Sequence, residues 1–159
     1  GEAAVLFDRV LRMSASLSWQ IIRKNNSFLV QGKGGNRVRF SREAGNLMNK
    51  HSFKYSGLAN DKALAIEPAE DKDDKEHGVS LGVKTRAAKK NPAKSYSTVS
   101  LTVGARKTAR SIKSYTTGLH YRKDLEAAAL ARASQIWLSQ KKKTPKNRKI
   151  NGKRGAKLA

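Results

Sequence analysis

An α+β fold follows from three features of this 159-residue sequence. Short runs that alternate apolar and polar residues fill the part before Gly104, and that two-residue period marks half-buried strands. Short turn segments separate these runs, which favours antiparallel pairing over βαβ crossovers. Helical periodicity takes over after Gly104. The expected architecture is a small antiparallel β-sheet packed with two or three helices, plus a basic C-terminal extension. The expected units are an N-terminal extension over 1–12, an α+β domain over 13–140 and a basic tail over 141–159.

The opening GEAAVLFDRVLR sets Ala3, Leu6, Phe7, Val10 and Leu11 on one face of a short helix. It is too short and too acidic for a signal peptide. Met13 reads as the more natural beginning. The stretch before it is either an extension outside the functional unit or a short helix docking on a partner. SLSWQIIRK (16–24) predicts a helix with Ser16 as N-cap. SFLVQ (27–31) and RVRFS (37–41) read as strands around the glycine-rich turn GKGGN. In the second, Val38 and Phe40 alternate with Arg37, Arg39 and Ser41, predicting a half-buried strand with a basic outer face.

FKYSGLA (53–59) and ALAIEP (63–68) read as strands around NDK. GVSLGVKT (78–85) alternates Val79, Leu81 and Val83, and TVSLTV (98–103) alternates Val99, Leu101 and Val103. ARKTARSIKSY (105–115) predicts a helix with Ala105, Ala109 and Ile112 on one stripe and Arg106, Arg110 and Lys113 on the next. Gly118 is the candidate C-cap. The clearest helical pattern is YRKDLEAAALARASQIWLSQ (121–140), with Leu125, Ala129, Ala133 and Ile136 as its stripe. Small residues there let the helix lie close against a sheet.

Charge is the strongest functional signal. Lys and Arg number 34 against 12 acids, a net charge of +22. Such a surplus repels itself unless a polyanion neutralises it. Its distribution is uneven. Six acids gather between Glu67 and Glu76, whereas Lys84 to Lys123 holds eleven cations and no acid. The acidic cluster reads as a solvated hairpin loop turned away from the polyanion. It lacks the glycine and ligand positions of a calcium loop. The tail, KKKTPKNRKINGKRGAKLA, carries nine cations in nineteen residues. Alone, such a segment stays disordered; on phosphates, counterion release offsets part of the ordering cost. It reads as an arm that takes shape on nucleic acid, or as a solubilising or nuclear-localisation tail.

Scattered basic patches, loops and an arm suit an irregular RNA surface. Zinc-finger, basic-zipper and RNA-recognition-motif signatures are missing. Tyr96, Tyr115 and Tyr121 lie among the cations, where each either stacks on a base or caps the core with its hydroxyl outward. The expected RNA-binding residues are Arg37 and Arg39 on the strand, then Lys84, Arg86, Lys89, Lys90 and Lys94 in and beside the loop. Arg106, Lys107, Arg110 and Lys113 follow on the first long helix, and Arg122, Lys123 and Arg132 on the second. In the tail they are Lys141, Lys142, Lys143, Lys146, Arg148, Lys149, Lys153 and Arg154.

Catalytic and metal-binding patterns are not legible. With no cysteine there is no disulfide, thiolate site or cysteine nucleophile. His51, His77 and His120 are far apart and read as separate surface residues. GKGG is followed by a strand, so it is a hairpin turn and not a phosphate loop. Asp124 and Glu126 point to different sides of a helix and favour its N-terminus through the macrodipole. No apolar run reaches the ~20 residues of a membrane span. No cofactor, metal, membrane or small-molecule substrate is expected.

Three stretches carry a family resemblance: MSASLSWQIIRKNNSFLVQ, FSREAGNLMNKHSFKYSGLANDKALAIEP and YRKDLEAAALARASQIWLSQKKK. In order and spacing, over about residues 13–143, they resemble the e-type family numbered twenty-eight of eukaryotic large-ribosomal-subunit proteins. NSFLV, KYSGLA and YRKDL…RAS are its most specific parts. The leader and the acidic insertion around Asp71–Glu76 depart from it. The resemblance implies a structural ribosomal protein, without catalytic residues, that binds large-subunit rRNA beside neighbouring ribosomal proteins. It implies a place in the cytoplasm, with passage through the nucleolus during assembly. The alternatives are a nucleolar assembly factor on pre-rRNA and a DNA-compacting chromatin protein. An RNA-processing enzyme is the least supported.

Overall fold

The computed structural model describes residues 14–32, 38–69, 78–85 and 91–141. The leader with Met13, Arg37 and most of the GKGGN turn, the acidic stretch 70–77, loop residues 86–90 and the tail from 142 lie outside the described residues. The chain runs α1 (Ala15–Ile22), β1 (Leu29–Gln31), β2 (Arg39–Ser41), β3 (Leu64–Pro68), β4 (Val79–Lys84), β5 (Tyr96–Leu101), α2 (Ala105–Lys113) and α3 (Glu126–Gln140). The fold is α+β, as expected, but with two antiparallel sheets in place of one: β1–β2, and β3–β4–β5.

Helix α1 is capped two residues earlier than its sequence predicts. The Ser14 hydroxyl, on extended backbone, accepts from Leu17 N at 3.2 Å, leaving Ser16 inside the helix. In the β1–β2 pair, Val30 faces Phe40 and Gln31 faces Arg39. At β2 the predicted burial of Val38, Phe40 and Ser41 is reversed, while Arg39 is exposed as expected. Ser41 is fully buried, while Val38 and Phe40 are 48% and 40% exposed. Residues 49–51 pair along the other edge of β2, where Ser41 N donates to Asn49 O and His51 N to Arg39 O, and the His51 ring lies 4.8 Å from Trp19 of α1.

Residues 53–59 are not a strand. Phe53–Tyr55 forms one 3₁₀ turn. Ser56 N bonds back to Ser52 O at 3.1 Å, and Asn60 Nδ2 donates to the carbonyls of Phe53 and Ser56. These local bonds from Ser and Asn outcompete a ladder. Ser56 Oγ and Leu58 N also donate to the carboxylate of Glu43, which is 5% exposed and takes a third donor from Asn46.

In the larger sheet Ile66 faces Leu81 and Val79 faces Leu101. Their common face meets Leu125, just before α3, and Ala129 and Ala133 on it, three of the four stripe residues its periodicity predicts, with Ile136 half-buried beside them. Leu64, Ile66, Val79, Leu81, Ile112, Leu125 and Ala129 make a core sealed from solvent. Val99 shares that face but is 53% exposed, since edge strand β5 lies beyond the helix packed on β3 and β4.

Helix α2 is rotated from its predicted stripe. It buries Thr108 and Ile112, while Ala105 is exposed. The hydroxyls of Thr108 and, about two turns on, Thr116 donate to the carbonyls four residues back, each at 3.0 Å, so both can enter the core satisfied. A π turn over Ser114–Gly118 closes the helix at the predicted glycine. Left-handed His120 and Arg122 then break the chain, so α3 begins at Glu126 and not at Tyr121.

Candidate nucleic-acid interface

Burial of Thr108 and Ile112 dictates what α2 shows to solvent. At 100° per residue, Arg106, Arg110 and Lys113 fall on the opposite side of the helix. All three are exposed, as is Lys107, and no side chain of the four has an ion-pair or hydrogen-bonding partner among the described residues. Arg110 and Lys113 sit in the last turn, where the helix dipole favours cations. Arg39, Lys94, Lys123 and Lys141 are exposed as well.

Three of the expected contact residues do a different job. Lys84 Nζ donates to the carbonyls of Gly57 (2.6 Å) and Asn60 (2.8 Å). Arg122 donates to the carbonyls of Lys62 (2.9 Å) and Lys54 (2.8 Å) and grips Asp124 through two nitrogens. Arg132 Nε reaches Ile66 O at 2.7 Å, and its Nη1 reaches Leu47 O at 3.2 Å. All three are partly buried. Together they staple segment 47–62, which has little regular structure, onto the sheet and α3. The hydrogen bonds from Arg122 hold the Asp124 carboxyl below its usual range. Arg37, Arg86, Lys89, Lys90, Lys142, Lys143, Lys146, Arg148, Lys149, Lys153 and Arg154 lie outside the described residues.

The tyrosines turn inward. Tyr121 Oη accepts from Ala63 N and lies 3.0 Å from Lys84 O. Tyr115 meets the Tyr121 ring edge-on at 6.5 Å. Tyr96 Oη donates to Ala44 O at 3.1 Å, and burial pushes its pKa up to about 12. The hydroxyls of Tyr96 and Tyr121 thus face neighbouring backbone, not solvent. His51 is likewise tied in, with Nε2 at 2.8 Å from Arg23 O.

Six exposed cations among the described residues, Arg23, Lys24, Arg42, Lys50, Lys54 and Lys62, escaped the sequence reading, and Arg42 and Lys50 lie together on the β1–β2 hairpin. The signal that marks these two is spatial: Lys50 is the cross-strand neighbour of Phe40, and Arg42 pairs with Phe28 through its backbone N–H. Among the described residues no cluster of three or more His, Asp or Glu could hold a metal ion, and no helix is long and apolar enough to cross a membrane.

Fold and surface together define a small, strongly basic α+β domain that staples its own irregular segment with three cations and turns the other cations among the described residues outward. Residues 17–139 match the model of the Ribosomal L28e protein family. The chain belongs to that family. It is 36% identical over 135 residues to large ribosomal subunit protein eL28 of Schizosaccharomyces pombe, covering 84% of this chain and 97% of the relative. It is 39% identical over 127 residues to the protein of the same name from Dictyostelium discoideum, covering 78% and 86%. The Caenorhabditis elegans protein of that name is 39% identical over 89 residues, or 56% of this chain and 64% of that one.

Proposed function

We propose that the protein is a structural constituent of the large subunit of the eukaryotic cytosolic ribosome, binding rRNA as a scaffold and not as a catalyst. The observation that carries this reading is the outward stripe of Arg106, Arg110 and Lys113, without partners among the described residues, in a +22 member of this family. Guanidinium groups pair with phosphate oxygens in two-pronged fashion, and each neutralised phosphate releases counterions. Cancelling that charge lets crowded RNA helices pack. The domain over 13–140 supplies the surface, the tail over 141–159 orders on RNA, and 1–12 stands outside the unit. Neighbouring ribosomal proteins are further partners, and the chain reaches the cytoplasm through the nucleolus. The names of the relatives favour a resident constituent over a transient assembly factor.

The test compares two full-length variants on large-subunit rRNA. R106A/K107A/R110A/K113A makes the salt dependence of binding shallower by up to about 3–4 in log–log slope, at about 0.7–0.9 per lost contact. R132A leaves the slope unchanged but lowers folding stability by roughly 2 kcal/mol, since it removes charged hydrogen bonds to two carbonyls. An unchanged slope in the fourfold variant removes α2 from the interface. Absence of the chain from polysomes after a high-salt wash overturns the ribosomal reading.

A further inference from the structure

One sheet face is apolar and left uncovered by the other described residues. Alternation along β1 and β2 sends Phe28, Val30, Val38, Phe40 and Arg42 to the same side of the hairpin, opposite Ser41. Phe28 is 42% exposed, Val38 48% and Phe40 40%. The Phe40 ring lies across Gly32, where a Cβ would stand 3.3 Å from it. Lys50, opposite Phe40, and Arg42, opposite Phe28, are exposed cations whose side-chain charges have no ion-pair or hydrogen-bonding partner among the described residues. Beside Phe28 and Arg42 opens a cavity of about 490 Å³ between this hairpin and β3, walled also by Asn49, Glu67 and Arg132.

We propose that this hairpin face stacks unpaired RNA bases on Phe28 and Phe40, while Arg42 and Lys50 hold the adjoining phosphates. The inference rests on the rRNA-binding reading above and adds the state of the RNA: splayed single strand, not duplex. Duplex RNA offers phosphates and 2′-hydroxyls but hides its base faces, so exposed rings gain nothing from it. Unpaired bases stack on aromatic rings whatever their sequence. Charge decides between RNA and a protein partner. A protein that covered the face would strip water from Arg42 and Lys50, at a cost of several kcal/mol per ion unless each is paired. A phosphate backbone neutralises both.

The experiment uses the full chain with an unstructured RNA of about twelve nucleotides, near the upper end of single-strand site sizes, and a duplex of equal phosphate number. F28L/F40L keeps apolar bulk and removes the rings. It is expected to weaken the single strand about tenfold or more, at the usual worth of a base–ring stack, and to leave the duplex unchanged. F28Y/F40Y is expected to bind like the parent. An unchanged single-strand affinity in F28L/F40L overturns the inference. So does an equal loss on both RNAs, since the leucines then act through the fold. Loss of a neighbouring protein from the subunit, with RNA binding intact, overturns it in favour of a protein partner. If the parent chain binds neither RNA, the rRNA-binding reading itself has failed.

Discussion

Tyr96 shows how a single side chain ties distant parts together. Its hydroxyl crosses 52 residues of sequence to reach Ala44 O. Y96F removes one long-range hydrogen bond and is expected to cost about 1 kcal/mol at neutral pH. For a protein of this size that is a fall of roughly 2–4 °C in melting temperature by calorimetry. The pH dependence follows from the raised pKa. Between the ordinary value of 10.0 and about 12, the unfolded chain releases the tyrosine proton and the native chain retains it. Stability therefore falls as pH rises through that window. Y96F lacks this contribution, so its gap to the parent narrows above pH 10.0. A gap that stays constant shows that the hydroxyl is not desolvated. Sequence exposes such a residue only as a tyrosine among cations. Its acceptor is invisible there, and so are the carbonyls that occupy Lys84, Arg122 and Arg132.

At the scale of elements, legibility tracks the source of order. The α3 stripe was readable because one long periodic run packs on one surface. Its small residues have a purpose: Ala129 and Ala133 are 0% and 4% exposed against the sheet. A129L forces a larger side chain into that contact and is expected to destabilise by roughly 1–3 kcal/mol, measured by urea denaturation. The same change at exposed Ala131 is expected to stay within about 0.5 kcal/mol. Equal effects at the two sites sink the close-packing account. Elements held by side-chain bonds were misread. Segment 53–59 has strand-like composition, but Ser56, Asn60 and buried Glu43 satisfy it locally. Helix α2 turned because threonines, polar in any sequence scale, bond their own backbone and enter the core.

At the scale of the molecule, electrostatics governs the free chain. A net charge of +22 makes the compact state repel itself, and α2 keeps its stripe of cations together without neutralisation from the described residues. Raising NaCl from about 0.02 M to about 0.5 M shortens the screening length several-fold, so the melting temperature of the free protein is expected to rise. Adding rRNA at low salt is expected to raise it further, through preferential binding to the native state. A melting temperature that is flat or falling across that range means the surplus is already compensated within the fold.

Sequence alone determined the α+β class, the family, the strand alternation of β4, the buried stripe of α3 and the cationic surplus. Each is a matter of residue type, order or short-range period, all carried by the chain itself. Tertiary structure decided which cations look outward and which clamp carbonyls, which face of β2 stays open, and that Tyr96 and Tyr121 point inward. Those outcomes hang on contacts between groups as much as 85 residues apart, such as Arg132 and Leu47 O. A hydrogen bond is set by distance and direction, and no local pattern encodes a partner that arrives only when the chain folds.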